Sequence, residues 1–260
     1  MLFRSPSRLT TEEQKLALLE TAGVQLVLVV PFTLDFSQWA PRMFVEELVH
    51  RRIGAQAVCI GANFRFGHGQ AGDARFLAAL GKEFGFEVYV VEPVVVRGEV
   101  ASSSFVRALV REGDVRSAAR LLGRLFSLTG QVRTGEGRGR QLGFPTLNFS
   151  PEQECLPANG VYITETRLAA RTYPSVTNVG VRPTFDGSVL VVESHLLGFS
   201  GTIEATRLEV QFHERLREER KFPSLRALQA QIAQDVERAR QFFAQKQKCD
   251  AQLAKKGPAG

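Results

Sequence analysis

The feature that most constrains this chain is a change in the spacing of its apolar residues at Gly123. Before it, apolar residues recur at helical intervals between short β-branched runs. After it, turn residues crowd in (Gly130, Gly135, Gly137, Gly139, Gly143, Pro145, Pro157, Gly160) and helical spacing returns only in the closing segment. Helices bury one residue in 3.6 and strands one in two, so the two halves are expected to be two architectures.

In the first half, Thr10 with Glu13 suits a capping box before a helix over 14–21, which Gly23 ends. Residues 24–30 (VQLVLVV) have the pattern of a strand buried on both faces. A helix over 42–52 carries Phe44, Val45 and Leu48 on one stripe, and a short strand follows over 57–60. A helix over 73–84 turns Phe76, Leu77 and Leu80 inward, a strand covers 87–91, and two helices cover 105–111 and 115–122. Strands separated by such helices argue for a parallel α/β sheet. A doubly wound sheet normally opens with a strand whose next turn binds phosphate. Here a helix leads straight into the first strand, so the chain reads as starting inside such a domain.

In the second half, Leu208, Val210 and Phe212 alternate with Arg207, Glu209, Gln211 and His213, as in a half-buried antiparallel strand. Short strands at near-regular spacing predict a small barrel or sandwich. An amphipathic helix over 224–245 closes it, with Ser224 as N-cap and Leu225, Leu228, Ile232, Val236 and Phe242 on one face. The expected division is an α/β domain over 1–123, a β domain with its helix over 124–246, and a flexible tail over 247–260.

Composition narrows the function. A chain of 260 residues with 44% hydrophobic and 23% charged residues suits two modest folded domains. No apolar run reaches the roughly 18–20 residues that span a bilayer, and Arg4 and Arg8 are followed by Thr10-Thr11-Glu12-Glu13 rather than an apolar stretch. A cytoplasmic protein without a membrane partner is expected. Cys59, Cys155 and Cys249, like His50, His68, His195 and His213, are too scattered for a zinc site or a disulfide framework. The net charge of +6 and pI near 9.5 suit phosphorylated small molecules or nucleic acid. Aromatic platforms interleaved with basic residues are missing, which argues against nucleic acid.

The densest chemical signal is Gly135-Glu136-Gly137-Arg138-Gly139-Arg140-Gln141-Leu142-Gly143-Phe144-Pro145-Thr146-Leu147-Asn148. Glycines let backbone N–H groups approach phosphate oxygens, and Arg138 and Arg140 add positive charge. Thr146 and Asn148 offer hard oxygens, two residues apart on one strand face, suited to Mg²⁺. No lysine follows the glycines, so this is not a Walker loop. By itself the segment reads as an anion-binding loop.

GRGRQLGFPTLN resembles the nucleotide loop of bacterial riboflavin kinases, whose signature ends in Pro-Thr-any-Asn. The likeness continues in order through Leu156-Pro157-Ala158-Asn159-Gly160-Val161-Tyr162, Asn178-Val179-Gly180-Val181-Arg182-Pro183-Thr184-Phe185, Val192-Glu193-Ser194-His195-Leu196-Leu197 and REERKF over 217–222. It implies a riboflavin kinase-like antiparallel barrel that uses ATP, Mg²⁺ and riboflavin and releases FMN. Gly135, Gly137, Arg138, Gly139 and Arg140 would cradle phosphate, and Thr146 and Asn148 would hold the metal and phosphates. Glu193 would be the catalytic base, and Asn178 and Arg182 would lie in the flavin-side loop. His195 reads as a hydrogen-bonded neighbour. One departure is Gly198-Phe199-Ser200-Gly201-Thr202-Ile203-Glu204-Ala205, where the family carries an acidic residue and then Ser-Gly-Asp-Leu-Tyr-Gly.

The first half resembles the later part of an FMN adenylyltransferase, a nucleotidyltransferase-type module usually fused ahead of this kinase in bifunctional FAD synthetases. Phe32-Thr33-Leu34-Asp35-Phe36, Gly61-Ala62-Asn63-Phe64-Arg65-Phe66-Gly67 and Ala101-Ser102-Ser103-Ser104-Phe105-Val106-Arg107 carry that likeness. It implies that Asn63, Ser103, Ser104 and Arg107 are remnants of the adenylyltransferase site, with triphosphate contacts from Ser103, Ser104 and Arg107, although a serine cluster alone is an ordinary helix cap. The module's Gly-any-Phe-Asp and His-any-Gly-His element does not occur here. The reading is therefore a riboflavin kinase with an incomplete adenylyltransferase half. Full bifunctionality and a non-catalytic flavin-binding module are the alternatives.

Overall fold

A computed structural model describes residues 6–133, 138–184, 187–201 and 205–256. Helix α1 (Glu12–Thr21) begins at a capping box one residue beyond the expected one. Thr11, not Thr10, accepts from the Gln14 N–H, and the Gln14 side chain accepts from Thr11 N–H. A glutamine serves this motif as well as a glutamate.

The chain forms two compact units: residues 23–101, and those up to Ala22 together with those from Ser102 on. The first holds α2 (Leu34–Ser37), α3 (Pro41–Met43, continuing as a π-helix over Phe44–Arg52), β1 (Ala57–Gly61), α4 (Ala74–Phe84), β2 (Glu87–Val91) and the hairpin of β3 (Val95–Val96) with β4 (Glu99–Val100). β1 and β2 are parallel and joined through α4, the expected β-α-β unit. Asp73 caps α4, and Leu77 and Leu80 join Val45, Val49, Ile60, Phe66 and Phe86 in its core.

Two expectations fail in this unit. Residues 24–30 form no strand, and Leu26 is 86% exposed. The parallel ladder engages only β1 and β2, and a β-branched run without a hydrogen-bonding neighbour is not held extended by propensity alone. Phe76 is exposed rather than inward, because α4 turns Leu77, Leu80 and Gly81 to the core.

In the second unit, α5 (Ser103–Glu112) and α6 (Val115–Leu122) precede β5 (Phe126–Arg133), a short turn of helix α7 (Arg138–Gln141), β6 (Leu147–Pro151), β7 (Gly160–Leu168), β8 (Arg171–Thr184), β9 (Gly187–Leu196), β10 (Arg207–Arg217) and α8 (Leu225–Lys256). The strands close an antiparallel barrel in the order β10-β5-β6-β9-β8-β7. The predicted alternation on β10 holds: Leu208, Val210 and Phe212 are buried with Phe126, Leu128, Tyr162, Val179 and Val192. Val106, Leu109, Val110, Val115 and Ala118 of α5 and α6 complete this core.

The barrel has a second apolar layer outside its wall. Val161, Ile163, Val176 and Leu216 pack against Val236, Ala239 and Phe243 of α8. Ser224 caps α8 through Ala227 N–H, as predicted. The helix runs on to Lys256, past Gln245, where the periodicity reading ends it. Lys246 explains part of that extension, because its Nζ lies 2.8 Å from Glu165 Oε1 on β7.

Glu165 links the outer layer to pH. His213 lies 3.2 Å away, and with Lys246 it holds the Glu165 carboxyl down at about 2. A carboxyl depressed on folding stabilises the fold above its unfolded pKa and loses that contribution as pH falls towards the folded value. Glu165→Gln should therefore lower the thermal midpoint most at pH 5 and above. Melts recorded from pH 7 to pH 2.5 should show the gap from the parent closing below about pH 4.5.

Candidate active site

Register fixes the site. On β6, β9 and β8, Asn148 pairs with Glu193 and Glu193 with Asn178, and the row continues to Val161 on β7 and Arg217 on β10. Directly paired residues share a face of the sheet. Their neighbours Val192, Ser194, Thr177, Val179 and Tyr162 are buried in the lumen, so this row faces outward, towards α8. The cavity side chains therefore lie on the outer surface of the barrel wall and not within its lumen, which buried side chains already fill.

Between that wall and α8 is a cavity of about 630 Å³, within the range of small-molecule sites. Glu193, Asn178 and Thr146 line it, with Gly139, Val161 and Val176 behind them and Leu228, Ile232 and Asp235 of α8 opposite. Glu193 and Asn178 are half-buried. Asn148 is half-buried directly opposite Glu193, and Thr146, just before β6, lines the same cavity as the carboxylate.

The glycine-rich segment is held against this wall. A Cβ on Gly139 would lie 2.5 Å from Phe144 O and 3.0 Å from Thr146 Oγ1, so only glycine lets α7 pack against Phe144 and Thr146. Phe144 N–H donates to Gly139 O, and Gln229 of α8 donates to Leu142 O. His195 Nδ1–H donates to Pro145 O at 2.8 Å, and its ring meets Phe144 edge-on. That bond occupies the nitrogen nearest the loop, so His195 anchors the loop, in line with its reading as a neighbour.

Gly135 and Gly137 lie outside the described residues, as do residues 202–204 of the departing loop. Arg138, Arg140 and Arg182 are described by their backbone alone: the first two in α7, the third on β8. Asn178 and Arg182 are thus strand residues, not loop residues. β8 stays paired with β9 as far as Thr184 and Gly187, which carries the ladder beyond both.

The sequence reading misses the floor of the cavity. Asp235 is 1% exposed on α8. Its Oδ2 accepts from Arg217 Nε and pairs with Nη2, both at 2.9 Å, and its Oδ1 accepts from Gln231. Arg217 and Arg220 lie over the Phe222 ring. A Cβ on Gly180 would lie 2.4 Å from Glu219 Oε1, so that glycine lets a carboxylate reach the β8 backbone. The available signal was a carboxylate at position 235 inside the Leu228–Ile232–Val236 stripe, where an apolar residue is the default.

The adenylyltransferase-type residues fall in both units. Asn63 is exposed after β1, in residues 23–101. Ser103 and Ser104 are exposed at the start of α5 in the other unit, where Ser102 is the cap and Arg107 Nε donates to Ser7 O at 2.7 Å. Among the described residues no cluster of histidine, cysteine and carboxylate side chains could hold a metal, and no helix is long and apolar enough to cross a membrane.

Residues 122–243 match the family described as riboflavin kinase, and residues 2–105 match FAD synthetase. The bifunctional riboflavin kinase/FMN adenylyltransferase of Escherichia coli K12 is 34% identical over 241 residues, 92% of this chain and 77% of that protein. The chain belongs to the bifunctional riboflavin kinase/FMN adenylyltransferase family. The Pseudomonas fluorescens protein of the same name is 37% identical, again over 92% of this chain and 77% of its own length. A crystal structure described as a macrolide-efflux protein from Streptococcus pneumoniae superposes with a TM-score of 0.82 at 26% identity, covering 91% of this chain and 78% of that one. The barrel and its closing helix are thus the riboflavin kinase domain, while the FAD synthetase part is partial, without the His-any-Gly-His element.

Breaking the cavity floor should unfold the kinase domain before it alters chemistry. Asp235→Ala leaves Arg217 with an uncompensated charge in a largely buried place, a loss of about 3 kcal/mol. Chemical denaturation should show the midpoint falling accordingly, with Asp235→Asn costing less.

Proposed function

We propose that this cavity is where ATP and riboflavin meet, and that Glu193 is the base of the transfer. The reading is carried by the Asn148–Glu193–Asn178 row, which sets a carboxylate between two amide side chains on the wall of a substrate-sized cavity. Phosphoryl transfer needs a phosphate cradle, charge neutralisation and a group that orients the nucleophile. Gly135, Gly137, Arg138, Gly139 and Arg140 are the proposed cradle.

Thr146, just before β6, and Asn148 on it fit a hard divalent cation as oxygen donors two residues apart, with Gly139 packed close enough to Thr146 to leave no room for a side chain. Mg²⁺ held there would neutralise charge on the nucleotide phosphates. The chain's own residues do the rest. Asn178 and Arg182 bind on the flavin side. Glu193 accepts the proton of the ribityl 5′-hydroxyl as that oxygen bonds to the γ-phosphorus, and the bond to the departing ADP oxygen breaks. α8 and the Arg217–Phe222 segment shield the other side of the cavity. FMN and ADP leave, and no nucleic acid or membrane takes part.

The decisive assay incubates the protein with riboflavin, ATP and Mg²⁺ and resolves the flavins by chromatography. FMN is the expected product, formed by the kinase domain over residues 122–243. FAD would establish the bifunctional alternative, and no product at all would favour flavin binding without catalysis. Glu193→Gln should lower kcat by roughly 10²–10⁴-fold while flavin fluorescence titration still shows binding. Undiminished turnover would remove Glu193 from this role.

A further inference from the structure

Five hydroxyl side chains sit in the lumen with no exposure at all: Thr164 and Thr166 on β7, Ser175 and Thr177 on β8, and Ser194 on β9. Their inward-facing companions on the same strands are Tyr162, Leu168, Val179, Val192 and Leu196, so apolar residues are the default there. Thr164 Oγ1 lies 2.8 Å from Ser175 Oγ and 2.7 Å from Thr177 Oγ1. Thr166 Oγ1 lies 2.8 Å from Ser175 Oγ and 2.7 Å from Ser194 Oγ, and Thr177 lies 3.1 Å from Ser194.

These five contacts close into a ring: Thr164, Ser175, Thr166, Ser194, Thr177 and back to Thr164. A hydroxyl has one proton to give and lone pairs to receive. Around a closed ring each can donate once and accept once, so all five are satisfied without water. Ser175 has a second acceptor in Thr164 O at 3.1 Å. Removing one hydroxyl opens the circuit and leaves a donor and an acceptor stranded on its neighbours.

The placement of the ring matters more than its chemistry. Thr177 and Ser194 form one rung of the β8–β9 ladder, and the next rung is Asn178 with Glu193, facing the opposite way. The ring therefore ties β7, β8 and β9 together from inside, directly behind the strand segment that presents the carboxylate outside. Apolar packing fills space without selecting one separation, whereas hydrogen bonds require a narrow range of distances.

We propose that this ring is a positioning device for phosphoryl transfer, in which Thr177 and Ser194 fix the spacing of β8 and β9 and so hold Glu193 against the reacting hydroxyl. The inference rests on Glu193 being the base. Thr177→Val removes the hydroxyl at nearly constant volume, and Thr177→Ser restores it. Each is made in the parent and in the Glu193→Gln background, and kcat, both KM values and the thermal midpoint are measured.

Thr177→Val should lower kcat roughly tenfold in the parent, the scale of a small misplacement of a reacting group, with KM for riboflavin and ATP within about twofold. Thr177→Ser should recover most of the loss. In the Glu193→Gln background Thr177→Val should add nothing, since residues that act through one another are not additive. Should Thr177→Val fail to fold, Ser194→Ala takes its place with the same expectations. An unchanged kcat in a folded variant, or the same loss in both backgrounds, would overturn the proposal and reduce the ring to support for the barrel. Full turnover in Glu193→Gln alone would overturn the base assignment first, visibly so before any ring residue is changed.

Discussion

Closure of six antiparallel strands into one ladder is the constraint from which the rest follows. A closed barrel has no free edge, so the register between neighbours is set everywhere at once, and successive side chains must alternate between lumen and outer surface. Here the lumen takes Phe126, Leu128, Tyr162, Val210 and Phe212, and α5 and α6 complete that core. The outer surface is left to form a cavity where α8 stands off from it and to pack where α8 lies down. Val161 and Val176 serve both purposes, belonging to the α8 layer and lining the cavity.

Much of this was legible in the sequence, for a physical reason that differs by element. The face of β10 follows from strict alternation of Leu208, Val210 and Phe212, and the start of α8 follows from Ser224 followed by helical spacing. The assembly of Thr146, Asn148 and Glu193 is not written in periodicity. It came from ordered motifs, and the structure supplies the register that sets Asn148 opposite Glu193. Residues 24–30 show the limit of local patterning, since a strand depends on neighbours that its own residues do not encode. Asp235 was missed because it lies far along the chain from the motifs, and only the return of α8 over the wall brings it to Arg217 at the cavity.

The two parts of the chain meet the demands of their families unequally. The kinase domain sets Glu193 opposite Asn148 and Asn178 in the strand ladder and beside a cavity. Among the residues that resemble adenylyltransferase motifs, two make ordinary structural contacts. Ser102 caps α5 and Arg107 binds the Ser7 carbonyl. Asn63 follows β1 in the unit of residues 23–101, and Ser103 and Ser104 belong to the other.

β10 shows how the wall is tuned to its helix. Its pairing with β7 slips between Phe212 and Glu214 and again between Arg215 and Arg217, so two extra residues are fed into one strand. A single bulge exchanges the faces of everything beyond it; two in succession restore them while advancing the strand. Arg217 therefore arrives opposite Val161, where Asp235 meets it, and the seat opposite Val161 does not fall to Arg215, which stays beside Tyr162 and Gly160. Were the pairing regular from Phe212 onward, Arg215 rather than Arg217 would stand opposite Val161, and the cavity floor would receive the wrong arginine with every face still correct.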